Sequence, residues 1–360
     1  MKIAVVAATK KGIKLAERIA AVLAESGNQE TVLYLPGKFS LLQIEGQRHP
    51  YRKPLRELFQ ELFSQYQGIV CIMALGIVVR LIAPHLKGKT SDPAIVAADE
   101  LGQNVISVLS GHWGGANALT IQIANGLGAN PVITTATDVN RLPAIEMLAQ
   151  ERGWLVEPFE LVKNVNAAIV NGDEVLVYSE VPLDMESTGN LKVRDFAEYA
   201  PSRGEEGRVV LVTNRTAGSF PLGTLFLRPQ NLCIGVGCRR GVTVQEVKDA
   251  ITKALEESGR AQAAVRSLAS IDIKSDEQGL LDAAGELNLP VEFFTRQAIR
   301  LILKERGNYF GFSELVDDKI GVGGVCEPAA ILGAGETSGL IMPKTKYKKV
   351  TVAIAEADWQ

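Results

Sequence analysis

The chain has 360 residues, 46% hydrophobic and 22% charged, an ordinary balance for a globular protein with enough length for two or three domains and ample core. With 38 basic residues against 41 acidic ones, the formal charge of −3 gives no reason to expect nucleic acid or an anionic membrane as a partner. Cys71, Cys233, Cys238 and Cys326 lack the spacing of a disulfide framework or zinc site, no uncharged apolar run is long enough to span a bilayer, and Met1-Lys2 leads into a strand without a signal peptide, so a cytoplasmic protein is expected.

Ile3 to Ala8 is a continuous apolar run, the pattern of a parallel strand buried on both faces. Ile13 to Ala24 has helical spacing, with Leu15, Ile19 and Leu23 four apart, and Thr31 to Leu35 reads as a second strand ended by Pro36-Gly37. A basic loop with His49 and Arg52 leads to a helix opened by Pro54 and then to the strand Ile69 to Met73. This alternation predicts a doubly wound α/β sheet.

Gly76 to Arg80 comes next, where an open parallel sheet usually places ligands, and Pro84-His85 closes a short helical stretch. After a polar turn from Lys87 to Pro93, Ala94 to Ala98 is another strand, ending in Asp99-Glu100. The stretch Val105 to Asn117 stands out. It begins as a β-branched strand, breaks at Ser110-Gly111, carries His112 into Gly114-Gly115, and enters a helix from Ala116 to Leu127. Glycines let a backbone approach a ligand, and a helix N-terminus offers unpaired N–H groups, so this turn suits an anion or a developing oxyanion. Pro131 to Thr135 is a further strand before Ala136-Thr137-Asp138. Strand-end loops with Arg80, His112 and Asp138 are therefore expected to converge on one rim.

The texture changes near Trp154. A helix over Glu160 to Val170, strands over Glu174 to Tyr178 and Arg208 to Thr213, and a polar irregular segment from Asp184 to Ser202 describe a small α+β middle domain. Near Pro229-Gln230 a last α/β domain opens, giving boundaries of 1–153, 154–229 and 230–360. Leu232 to Gly241 is a strand running into a glycine-rich basic turn, and Thr243 to Glu246 is a capping box for the helix ending near Gly259. Val265 to Ile271 reads as a strand, a helix begins around Ser275 to Gln278, and Pro328 suits the first turn of another. A basic strand pair closes the chain, its lysines blunting a sheet edge.

His112 is the natural acid/base candidate, because its unperturbed pKa lies near neutrality, although a purely structural bond to its own loop would use the same residue. The three histidines are not at metal-ligand spacing, and no protein metal site is expected. Gly235 to Gly241 loosely matches a dinucleotide fingerprint, one residue too long at its final spacing. Its Arg239 and Arg240 suit substrate carboxylates as well as solvent. Cys326 is either a nucleophile near a helix start or a packed small residue, and Glu327 either caps that helix or acts as an acid/base group. Asp99, Glu100 and Asp138 read equally as strand-end caps or site carboxylates.

Gly76 to Arg80, Lys89 to Pro93, Ser110 to Asn117 and Thr134 to Asp138 occur in an order that closely resembles the N-terminal part of the cobalt-precorrin-5A hydrolase (CbiG) family of anaerobic cobalamin biosynthesis. Gly235 to Gly241, Ser267 to Lys274, Val325 to Ala330 and Lys344 to Ala355 are similar to that family's C-terminal domain. Cys326 stands where the family pattern implies a smaller residue.

The resemblance implies a hydrolase acting on carbon–carbon bonds, which opens the ring A δ-lactone of cobalt-precorrin-5A and releases acetaldehyde to give cobalt-precorrin-5B. Its partner is then a cobalt-containing corrinoid precursor rich in carboxylates, with transient contacts to neighbouring pathway enzymes. No cofactor is expected, because the substrate carries the cobalt. On this reading His112 and Glu327 are the catalytic candidates. Arg80, Lys89, Asp138, Arg239, Arg240 and Lys274, with the turn at Gly114, Gly115 and Asn117, are the substrate-binding ones. The cleft is expected between the first and last domains. A non-catalytic tetrapyrrole carrier and a nucleotide-dependent α/β enzyme are the competing readings.

Overall fold

The computed structural model describes residues 1–25, 27, 29–40, 46–88, 91–183, 190–200, 208–216, 220, 223–306, 310, 323–335 and 337–358. The chain divides into two compact units, Met1–Met147 and Leu148–Gln360.

The first unit runs β1 (Lys2–Ala7), α1 (Lys10–Ala24), β2 (Glu30–Pro36), β3 (Arg48–Tyr51), α2 (Leu55–Gln65), β4 (Gly68–Ile72), α3 (Leu75–Ile82), β5 (Ala94–Ala98), β6 (Asn104–Leu109), α4 (Ala116–Leu127), β7 (Asn130–Val132), α5 (Ala136–Val139) and the start of α6 (Ile145–Glu151). Its seven strands form one sheet in the order β3-β2-β1-β4-β5-β6-β7. The apolar run in β1 behaves as a doubly covered strand must. Ile3, Val5 and Ala7 pack on one face with Ile13, Ile19, Leu119 and Ile123, while Ala4 and Val6 pack on the other with Leu58, Phe59, Val78 and Leu81. Helices on both faces make the sheet doubly wound.

One reversal decides where the site lies. Strands β3, β2, β1, β4 and β5 are parallel, but β6 runs antiparallel to β5, and β7 follows β6. Leu109 at the end of β6 therefore pairs with Ile95 at the start of β5. The loops after β6 and β7 share the sheet edge where β4 and β5 begin, whereas β4 ends at the opposite edge. The single rim expected for all three strand-end loops is thus formed by two of them. Arg80 is carried well into α3, where it is exposed.

The second unit holds two five-stranded sheets. The middle one, ordered β10-β9-β11-β12-β8, uses β8 (Leu155–Glu157), β9 (Val175–Ser179), β10 (Leu191–Asp195), β11 (Val209–Val212) and β12 (Leu225–Arg228), with α7 (Val162–Asn171) following β8. All its pairings are parallel except that of β12 with β8. The last sheet, ordered β15-β14-β13-β17-β16, uses β13 (Leu232–Cys238), β14 (Val265–Ile271), β15 (Val291–Phe294), β16 (Gly339–Tyr347) and β17 (Val350–Glu356). Its helices are α8 (Val244–Ser258), α9 (Gln278–Leu287), α10 (Arg296–Arg306) and α11 (Cys326–Ala334). The Thr243–Glu246 capping box forms as its spacing requires, and Gly259 ends α8 in the left-handed conformation.

Among the strands that the sequence reading did not anticipate are two at sheet edges. Arg48–Tyr51, read as loop, is the edge strand β3, a position that tolerates Pro50 and its missing N–H. Leu191–Asp195, inside the segment read as irregular, is the edge strand β10, half exposed and therefore polar. No helix among the described residues is long and apolar enough to cross a membrane.

Candidate active site

His112 lies in the turn between β6 and α4, with both ring nitrogens against carboxylates. Nδ1 is 3.0 Å from Glu146 Oε1 and Nε2 is 2.5 Å from Asp138 Oδ2, with Thr137 Oγ1 also 3.1 Å from Nε2. Asp138 comes from α5 after β7, so the two adjacent strand ends deliver this pair to one place. Glu146 comes from α6 and sits between the buried Ile145 and Leu148. Asn117, 5% exposed, completes the arrangement. Its Nδ2 donates to Asp138 Oδ2 (3.0 Å) and Thr135 Oγ1 (3.1 Å), and its Oδ1 accepts from Ser107 Oγ (2.6 Å).

The charge state follows from counting donors. A neutral imidazole has one donor and one acceptor nitrogen, yet here both nitrogens face carboxyl oxygens, and with both carboxylates ionised only the imidazolium serves both. The bond to Glu146 accordingly raises the His112 pKa above its ordinary 6.5; burial opposes the rise and Asp138 adds to it. The two carboxylates differ in access. The Glu146 side chain is 7% exposed and that of Asp138 32%, so Asp138 is the member that meets solvent.

The oxyanion cradle expected at Gly114 to Asn117 is occupied by the turn itself. The amides of Gly115, Ala116 and Asn117 donate to the carbonyls of His112, Ser110 and Gly111 at 2.9, 3.1 and 2.9 Å. Gly114 is needed because a Cβ there would stand 2.4 Å from that of Ser110, and Gly115 because it precedes α4 at φ +84°. The glycines fold the loop onto itself and aim His112 at its carboxylates. Asn117 is likewise turned inward and holds Asp138.

The other expected site residues separate into exposed cations and buried structural groups. Arg80, Arg239 and Arg240 are exposed, Arg240 pairing with Asp276 at 3.0 Å. Lys89 lies outside the described residues. Lys274, expected to hold a substrate carboxylate, is instead 7% exposed and bonded to Glu277 at 3.0 Å. Burial works against the charged form of Glu277, but bonds from Lys274 and the Gly241 amide outweigh it and hold that carboxyl below its usual range. Glu327, expected as a catalytic acid/base, is 4% exposed and accepts the Lys344 amide at 3.0 Å, so it fastens the start of α11 to β16.

Cys326 is buried and its thiol is pushed up to about 11, mainly by desolvation, the opposite of an activated nucleophile. The fingerprint glycines Gly235 and Gly237 lie inside β13 rather than in a phosphate-binding turn. An open cavity of about 590 Å³ in the second unit is lined by Glu180, Asp195, Glu356 and Asp358 against Arg215, a poor seat for a polycarboxylate. Glu146 was not among the residues singled out from sequence. Its signal is a lone carboxylate inside the apolar run Ala144-Ile145-Glu146-Met147-Leu148-Ala149.

These features define a multi-sheet α/β protein whose first unit holds a histidine between two carboxylates at one end of its sheet. Three profiles cover most of the chain: Cobalamin synthesis G N-terminal over residues 57–138, Cobalamin biosynthesis central region over 143–229, and Cobalamin synthesis G C-terminus over 232–355. Cobalt-precorrin-5A hydrolase of Priestia megaterium is 35% identical over 98% of this chain and 94% of its own. Its namesake in Salmonella typhimurium is 34% identical over 94% and 93%. A solved cobalamin biosynthesis protein G homolog from Sulfolobus solfataricus is 23% identical, with a TM-score of 0.40 over 99% of this chain and 97% of that one. The chain belongs to the cobalamin synthesis G (CbiG) family.

Proposed function

We propose that this protein is a cobalt-precorrin-5A hydrolase, opening the ring A δ-lactone of its substrate and releasing acetaldehyde. The observation that carries the chemistry is His112 held between Asp138 and Glu146, with Asp138 reaching solvent. Hydrolysis begins when water adds to the lactone carbonyl and gives up a proton. Asp138 Oδ2 takes the bonds from His112 and Asn117, which leaves Oδ1 to receive that proton. The imidazolium behind it places a positive charge near the oxyanion as the carbonyl carbon becomes tetrahedral. The ring oxygen then departs and leaves a carboxylate. Collapse of the released alkoxide to acetaldehyde breaks the carbon–carbon bond, and the conjugated macrocycle takes up the bonding electrons.

The cobalt arrives as part of the substrate, and no resident cofactor is invoked. The test is acetaldehyde release from cobalt-precorrin-5A by purified protein, followed by coupled reduction of the aldehyde. Asp138→Asn and His112→Asn are expected to lower turnover about 100-fold or more. Stoichiometric binding of the corrinoid without turnover by the wild-type protein would replace this reading with that of a carrier.

A further inference from the structure

We propose that Glu146 is a positioning residue: from its buried place on α6 it holds Nδ1 of His112, fixes the plane of the ring, and keeps the ring protonated behind Asp138. The inference rests on the reading of His112 and Asp138 given above and adds a residue and a charge state to it.

Three observations support it. The bond is direct, at 3.0 Å to Nδ1, and it occupies the nitrogen turned away from Asp138. Glu146 is 6% exposed in the middle of an apolar run, and a carboxylate is costly there unless it has a partner that justifies its burial. Among the described residues, the titratable groups bonded to the ring are Glu146 from α6 and Asp138 from α5; Asn117 from α4 and Thr137 from α5, which also belong to the cluster, do not titrate. With a carboxylate on each nitrogen, the ring gains most from both bonds when it carries the charge. Removing the Glu146 charge while leaving Asp138 in place removes the more enclosed of the two partners.

The arrangement predicts a division of labour. Asp138 exchanges protons with water and substrate, while Glu146 fixes the ring from behind. Glu146→Gln can still bond Nδ1 through its amide oxygen but brings no charge. It should lower kcat about tenfold or more while KM changes less than about twofold, since Glu146 is not offered to the substrate. The alkaline limb of the kcat profile should move toward lower pH, because the protonated ring is then lost sooner. Glu146→Asp, which keeps the charge on a shorter arm, should bring that limb back toward its wild-type position.

A second readout does not depend on activity. The chain has three histidines, so His112 can be followed by nitrogen-labelled NMR titration and assigned with His112→Asn. The wild-type resonance should titrate above 6.5 and move about one pH unit toward acid in Glu146→Gln. A His112 titration at or below 6.5 in the wild-type protein, or an unchanged titration in a folded Glu146→Gln variant, overturns the proposal. If the titration behaves as expected but no acetaldehyde is released, the charge-setting role stands and the hydrolase reading is what fails.

Discussion

Asn117 Nδ2 lies 3.0 Å from Asp138 Oδ2, joining the first turn of α4 to the short helix after β7. The same nitrogen reaches Thr135 and the amide oxygen takes the Ser107 hydroxyl, so one buried side chain ties three segments around His112. Asn117→Ala would strip Ser107, Thr135 and Asp138 of a shared partner that is itself buried. We expect a stability loss of about 1–3 kcal/mol by urea unfolding, and a fall in kcat of about tenfold to a hundredfold as Asp138 loses its alignment. A variant with wild-type turnover would show that Asn117 does not hold Asp138 in its working position.

The contrast between Asn117 and Glu146 shows what was legible in the residues alone. Helix α4 begins at Ala116 and ends at Leu127, the limits its glycines and apolar spacing predict, because capping and periodicity are local. The turn carrying His112 was equally legible. Its meeting with Asp138 was expected only loosely, as a shared rim, since the antiparallel insertion of β6 has no local signature. Glu146 was missed because one carboxylate in an apolar helix resembles any other surface glutamate until tertiary packing buries it. Lys274 and Glu327, read as a substrate contact and an acid/base group, are turned inward onto Glu277 and the Lys344 amide. Both stand in stretches that resemble the family, and charge alone does not separate a substrate contact from an internal tie.

Gly235 tests the nucleotide alternative. A Cβ on this residue would stand 1.8 Å from the Cys326 carbonyl oxygen and 2.9 Å from the Ala330 nitrogen, so α11 packs directly on the glycine. Gly235→Ala must push helix backbone rather than a flexible side chain. We expect a loss of about 3 kcal/mol or a failure to fold. Calorimetric titration of the wild-type protein with nucleotides should be flat, because the glycine is covered by its own chain. Measurable nucleotide affinity that vanishes in a stable Gly235→Ala variant would reverse this conclusion.

Lys274 and Arg239 should part company under mutation although both are basic residues that follow strands of the last sheet. Lys274→Met leaves Glu277 buried without its cation, and breaking such a pair costs about 3–5 kcal/mol. The Gly241 turn, fastened by Glu277 at 2.8 Å, should loosen with it. Arg239 is exposed, so Arg239→Ala should leave the melting temperature nearly unchanged. Thermal melts beside steady-state kinetics separate the two. An increase in KM for a still-folded Lys274→Met without loss of stability would make Lys274 a substrate contact after all.

The raised pKa of His112 has a consequence for stability. The folded state binds the proton more tightly than the unfolded chain, in which the ring titrates near 6.5. The contribution of the charged ring is therefore fully present below that value, and it is lost as pH rises through the higher folded-state value. Other groups titrate over the same range, so the quantity to measure is the difference in unfolding free energy between wild type and His112→Asn. That difference should be larger at pH about 6 than at about 9. The direction is diagnostic, because a neutral ring held only by its loop would give no such loss. A difference that stays level or grows toward alkaline pH would mean that the ring enters the fold uncharged, and that Glu146 or Asp138 carries the shared proton instead.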